Sequence, residues 1–155
     1  MYKFDWAFPV AGQADQFMTE EQINEIAEYL DCGLRCFIHK ENNTIVAIPD
    51  TINNPDSDSE EWDEAMEEID NNFFSYVEVN KMDSHESFKI MEDFIETIDN
   101  RKLQEKLARA LNKPRPFRNF KFEVDNSGPY REEWFSFKKQ QLIEWVKGQL
   151  AIKEL

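Results

Sequence analysis

The sequence predicts an α+β fold: a small antiparallel sheet of about three strands packed by about five helices. Three observations predict it. Apolar residues recur at helical spacing in several separate stretches. Two stretches rich in strand-forming residues flank an Asn-Asn turn. Phe, Trp and Tyr make up 14% of the chain, enough ring area to build a core without disulfides.

In chain order, residues 1–18 show no period; Trp6, Phe8, Val10 and Phe17 are expected to anchor this arm on the body. The first helix opens at Thr19, which forms a capping box with Gln22. Ile23, Ile26, Ala27 and Leu30 then fall on one face, and Gly33 suits the stop. A hairpin follows. Its strands run Leu34 to Lys40 and Thr44 to Ile48, joined by Glu41-Asn42-Asn43, because Asn tolerates positive φ. Residues 50–61 read as an acidic loop, and Trp62, Met66 and Ile69 place a short acidic helix after it. A third strand is expected over Phe73 to Val79, with Phe74 and Tyr76 on one side and Val77 and Val79 on the other.

The next helix starts near Ser84, capped by Asp83 or Ser84, with the stripe Phe88, Met91, Ile95 and Ile98. Asp99-Asn100 breaks it. Leu103, Leu107, Ala110 and Leu111 mark another helix, interrupted by Pro114 and Pro116. From Phe117 two patterns compete: Phe117, Phe120 and Val124 fit a helix, while Phe120, Phe122 and Val124 fit a strand. The helix is the preferred reading. Asn126-Ser127-Gly128-Pro129 is a turn. A last helix carries Tyr130, Trp134, Phe137, Leu142, Trp145, Val146 and Leu150. The 155 residues are expected to form a single domain.

The net charge is −14, and it is unevenly placed. Residues 1–100 hold 25 Asp and Glu against 5 Lys and Arg, whereas residues 101–155 hold 7 against 13. Overall acidity opposes unspecific adhesion to nucleic acid or anionic membrane. Neutralisation inside the molecule is expected for Arg115, Arg118, Lys121 and Arg131, by acids of the first hundred residues. Cys32 and Cys36 are too close in sequence for a useful disulfide, and no apolar run is long enough to span a bilayer. A cytoplasmic setting with reduced thiols is expected.

Candidate chemistry is sparse. Cys32, Cys36 and His39 have the spacing Cys-x3-Cys-x2-His, but a structural zinc site wants four ligands and the only other His is His85. Asp56, Asp58 and Glu60, with Glu67 at the twelfth position, echo a calcium loop. Its sixth position needs Gly and here is Glu61. Neither metal nor cofactor is expected. Four glycines leave no phosphate cradle. Two stretches remain. From Asp56 to Asp70 there are nine acids and no base, and Asp56, Asp58, Glu60, Glu61, Asp63 and Glu64 form a candidate acidic interaction surface. The second is basic and aromatic: Arg115, Phe117, Arg118, Phe120, Lys121, Arg131, Trp134 and Lys138. Cations beside stackable rings suit single-stranded nucleic acid, whereas helical spacing of the same rings suits a core.

These residues also carry a resemblance. Leu107-Ala108-Arg109-Ala110-Leu111, then Phe117-Arg118-Asn119-Phe120-Lys121, then Arg131-Glu132-Glu133-Trp134-Phe135-Ser136-Phe137-Lys138 resemble the signature of the uncharacterised protein family 0158. Many members of that family place Gly-x-Gly-Ala before the first Phe; here Lys113-Pro114-Arg115-Pro116 stands instead. The earlier strand-turn-strand and Met91-x-x-Phe94-Ile95 extend the resemblance over most of residues 20–150. The resemblance implies membership and carries no activity with it. The leading expectation is therefore a non-catalytic binding or regulatory domain that meets a protein partner through its acidic segment. One alternative is nucleic-acid association through the basic-aromatic third. Another is an enzyme with a carboxylate-based site that the sequence does not locate.

Overall fold

Thr19 opens α1 (Glu20–Asp31) through the expected capping box, in which its hydroxyl accepts from Gln22 N–H and Gln22 Oε1 accepts from Thr19 N–H. Ile23, Ile26, Ala27 and Leu30 are its buried face. Gly33, at φ +82°, ends it in a Schellman motif: Leu34 N–H reaches the Tyr29 carbonyl and Gly33 N–H the Leu30 carbonyl. The computed structural model describes residues 18–52 and 60–153, so the expected anchors Trp6, Phe8, Val10 and Phe17 lie outside the described residues. Those residues hold six α-helices and one three-stranded antiparallel sheet, an α+β fold.

Strand β1 (Arg35–His39) is central, between β2 (Ile45–Ile48) and β3 (Tyr76–Val79). The hairpin turns at Asn43, whose φ of +59° is the left-handed backbone the Asn-Asn turn requires. Register pairs Phe37 with Val46 and with Glu78, so these side chains share one face of the sheet. There Phe37 and Ile48 pack with Ile69 of α2 (Asp63–Asn71), which follows a 3₁₀ turn at Glu60–Trp62. Cys36, Ile38 and Val79 fill the other face, and α1 packs on β1 and β2. Arg35 crosses to Glu78 by two hydrogen bonds of 2.9 Å. Lys81 Nζ donates to Asp50 Oδ2 at 2.7 Å and to the Gly33 carbonyl at 3.3 Å, tying the sheet's connections together.

The third strand is shorter than expected. Phe73–Ser75 forms a 3₁₀ turn, and Phe74 stands 88% exposed instead of sharing a strand face with Tyr76. Two aromatics at the head of a strand-like run gave a β signal, but Asn72 closes α2 and the chain turns once before pairing begins.

Two compact units result. One holds the sheet, α1, α2 and the chain from Leu142 onward; the other runs from Met82 to Gln141. In the second, Asp83 and Glu86 form a capping box for α3 (Ser84–Thr97), and Asn100 caps α4 (Arg101–Leu111). α5 (Pro116–Asp125) settles the ambiguous stretch as helix, with Pro116 in its first turn. Met91, Phe94, Ile98, Leu103, Leu107 and Phe120 lead the buried cluster. Phe94 was missing from the expected stripe, yet it is 1% exposed and sits at its centre. Its ring lies 6.5 Å from Phe120, 5.2 Å from Trp134 and 5.5 Å from Phe137. Trp134 and Phe137 come from α6 (Tyr130–Ile152), whose later residues Leu142, Val146 and Leu150 are also buried. In the first unit, Trp145 Nε1 donates to the Asn80 carbonyl at 2.7 Å.

Two stability outcomes are expected by chemical denaturation. Phe94→Ala should cost about 3–5 kcal/mol, and a loss under about 1 kcal/mol would remove Phe94 from the core. Arg115 precedes α5 at φ +61°, a conformation that favours glycine. Arg115→Gly should therefore stabilise by about 0.5–1 kcal/mol, the strain relieved less the entropy of an added glycine. Destabilisation by this change would show that the Arg115 side chain contributes to the fold.

Candidate functional site

From residue 60 to residue 71 the chain carries acids and no cation. Ala65, Met66 and Ile69 of α2 turn inward against the sheet, and this sends the glutamates outward. Between α2 and β2 lies a cleft of about 570 Å³, lined by Glu61, Glu64, Glu67 and Glu68 and by apolar Val46 and Ala65. Tyr76 Oη donates to Glu68 Oε2 at 2.8 Å, and partial burial together with this bond pushes the Tyr76 phenol up from its ordinary value. Glu61, Glu64 and Glu67 are exposed and make no ion pair with any described residue. Glu60 and Asp63 are exposed on the same segment, while Asp56 and Asp58 lie outside the described residues. Sequence reading had the acidic run but missed Val46 as a member of the same site, since only the fold brings β2 beside α2. It also missed the ring pair Phe73 and Phe74, edge to face at 5.7 Å and exposed two residues beyond α2.

The basic-aromatic stretch divides on folding. Phe120 is 1% exposed, and Trp134 packs on Phe94 and on Phe120 at 4.9 Å. Both are packing residues rather than open stacking platforms. Phe117 remains 43% exposed, its ring centre 6.5 Å from that of Phe88 in an edge-to-face arrangement. Lys121 and Arg131 find acids nearer in sequence than the first hundred residues. Lys121 pairs with Asp125 at 2.9 Å, one turn along α5, and Arg131 reaches Asp125 at 3.3 Å and Glu132 at 3.6 Å. Neighbours on the same or next helix reach these cations first, at no loop-closure cost. The Asp125 carboxyl is accordingly held below its ordinary value, by its bond from Lys121 foremost and then by Arg131. Arg131 also lies 4.6 Å from the Phe135 ring centre. Arg115 and Arg118 are exposed, and neither forms an ion pair among the described residues. Lys138 is half-buried.

Cys32 caps α1 in the open, whereas Cys36 is buried in β1. Burial pushes the Cys36 thiol up to about 12. His39 Nδ1 accepts from Glu41 N–H at 3.2 Å. Among the described residues no three His, Cys, Asp or Glu side chains converge to hold a metal ion. No helix there is long and apolar enough to cross a membrane.

One family model matches residues 17–155, that of the Uncharacterised protein family UPF0158, and the chain belongs to this family. Neither a curated protein nor a solved structure matches it. The residues that carried the resemblance fall on α4, α5 and α6. Leu107, Ala110, Leu111 and Phe120 among them are buried, and Trp134 and Phe137 pack against the same core. Much of that signature is thus a packing pattern.

The two thiols should separate in reaction with a neutral-pH disulfide reagent. Cys32 should react at once and Cys36 only on unfolding, since a buried thiol holds almost no thiolate. Two fast thiols in the native protein would contradict the burial of Cys36.

Proposed function

We propose that the protein is a non-catalytic binding domain whose acidic cleft on α2 docks a basic segment of a protein partner. One observation carries the reading: exposed glutamates without ionic partners among the described residues stand over an apolar floor of Val46 and Ala65. Such a cleft suits Lys and Arg side chains, whose stems lie on apolar surface while their heads meet carboxylates. The helix itself supports the reading. Asp63 and Glu67, and Glu64 and Glu68, are like charges four residues apart on α2. Each such pair costs about 0.2–0.5 kcal/mol. A cationic partner relieves that repulsion, so binding energy is available without new strain in the fold. The carboxylate-enzyme alternative has less support. The cleft's glutamates are all exposed, and a general acid works from apolar surroundings that shift its proton affinity.

The test is fluorescence anisotropy with labelled Lys- and Arg-rich peptides against charge-scrambled and acidic controls. Basic peptides are expected to bind, more weakly as salt rises. Glu61→Gln, Glu64→Gln and Glu67→Gln combined should abolish most binding while changing stability by under about 1 kcal/mol, because relieved repulsion and the lost attraction of Glu64 to the helix N-terminus oppose each other. Peptide binding that survives the triple change would sink this reading.

A further inference from the structure

The apolar stripe of α4 has a cationic counterpart. Lys102, Lys106 and Arg109 stand at i, i+4 and i+7, one face of the helix, and Lys113 continues the spacing into the turn. All four are exposed, as are Arg115 and Arg118 at the start of α5. None of the six forms an ion pair among the described residues. From Arg101 to Asp125 the chain holds eight Lys and Arg against three Asp and Glu, a reversal of its overall sign. On α5 the ring of Phe122, 64% exposed, lies one turn beyond Arg118, and Phe117 is 43% exposed beside it in sequence. Buried Leu103, Leu107, Phe120 and Val124 hold the two helices to one core, so these cations and rings are displayed by a packed scaffold.

We infer that the α4–turn–α5 face is a second binding surface, taking single-stranded nucleic acid. Charge complementarity selects a polyanion, since unpaired cations in a row gain most from phosphates whose counterions they release. The open rings select single strands, because duplex bases are already stacked and unstacked bases lie on aromatic faces. The net charge of −14 opposes long-range capture. The patch acts on close approach, within a Debye length of about 8–10 Å. This surface is separate from the α2 cleft in sequence, in charge and in the chemistry of its ligand, so either proposal stands without the other.

The experiment is anisotropy of the full chain with a labelled single-stranded RNA of mixed sequence, beside a matched duplex, at about 50 and 200 mM salt. Arg115→Gly suits the test because it removes a cation while relaxing the backbone, so weaker binding cannot be ascribed to unfolding. Arg115→Gly with Arg118→Ala should weaken single-strand binding about tenfold at the lower salt and flatten its salt slope by about 1.4. Phe122→Ala, at an exposed position, should weaken it about fivefold or more. The inference is overturned by no binding at either salt, by binding indifferent to Arg115 and Arg118, or by equal duplex affinity with no effect of Phe122→Ala.

Discussion

The ring of Phe94 is the contact on which the second unit depends. It meets Phe120 of α5 and both Trp134 and Phe137 of α6, so one side chain of α3 fixes two other helices. Ring pairs at these separations contribute about 0.5–1.5 kcal/mol beyond their area. Their larger effect is selection. By drawing Phe120 and Trp134 inward, the cluster leaves Phe117 and Phe122 as the open rings of α5. It also sets the rotation of α5, and with it the outward direction of Arg118 and Lys121. The composition of the exposed surface is therefore a consequence of core packing.

The first unit follows the same logic with a sheet in place of a ring. β1 is buried on both faces, so each face demands a helix: α1 meets one and α2 the other. α2 is so acidic that it is a poor helix alone, its like charges repelling along every turn. Ile69, Met66 and Ala65 hold it against Phe37 and Ile48. Burial on one side thus sustains a concentration of negative charge on the other that local preferences would disperse.

Local chemistry made much of the fold legible. Thr19 with Gln22, Gly33, Asn43 and the Leu103–Leu107–Leu111 stripe all act as their types predict, since capping, positive φ and helical period are decided within a few residues. β3 was less legible because Phe73 and Phe74 favour strands in general, while their exposure depends on where Asn72 ends α2. Phe94 escaped because Phe88, Met91, Ile95 and Ile98 already completed a stripe, and the face that α3 buries is broader than one stripe. The site was read in halves. The acids of α2 were visible as a run, but the apolar floor from Val46 exists only after β2 lies beside α2. Lys121 was assigned to distant acids by treating charge as a sum over the chain, when Asp125 was one helical turn away. The cations of α4 were legible all along by the spacing rule applied to its leucines.

That packing within each unit leaves two open surfaces of opposite charge is testable in one sample. Backbone amide NMR of the labelled full chain, titrated first with a Lys-rich peptide and then with single-stranded RNA, reads both surfaces residue by residue. The peptide should shift amides of Glu61 to Glu68 and of Val46. The RNA should shift those of Lys102, Lys106, Arg109, Lys113, Arg115, Arg118 and Phe122, with Phe94 and Leu107 little changed in either case. Both ligands moving one common set of amides, or shifts concentrated in the buried cluster around Phe94, would contradict it.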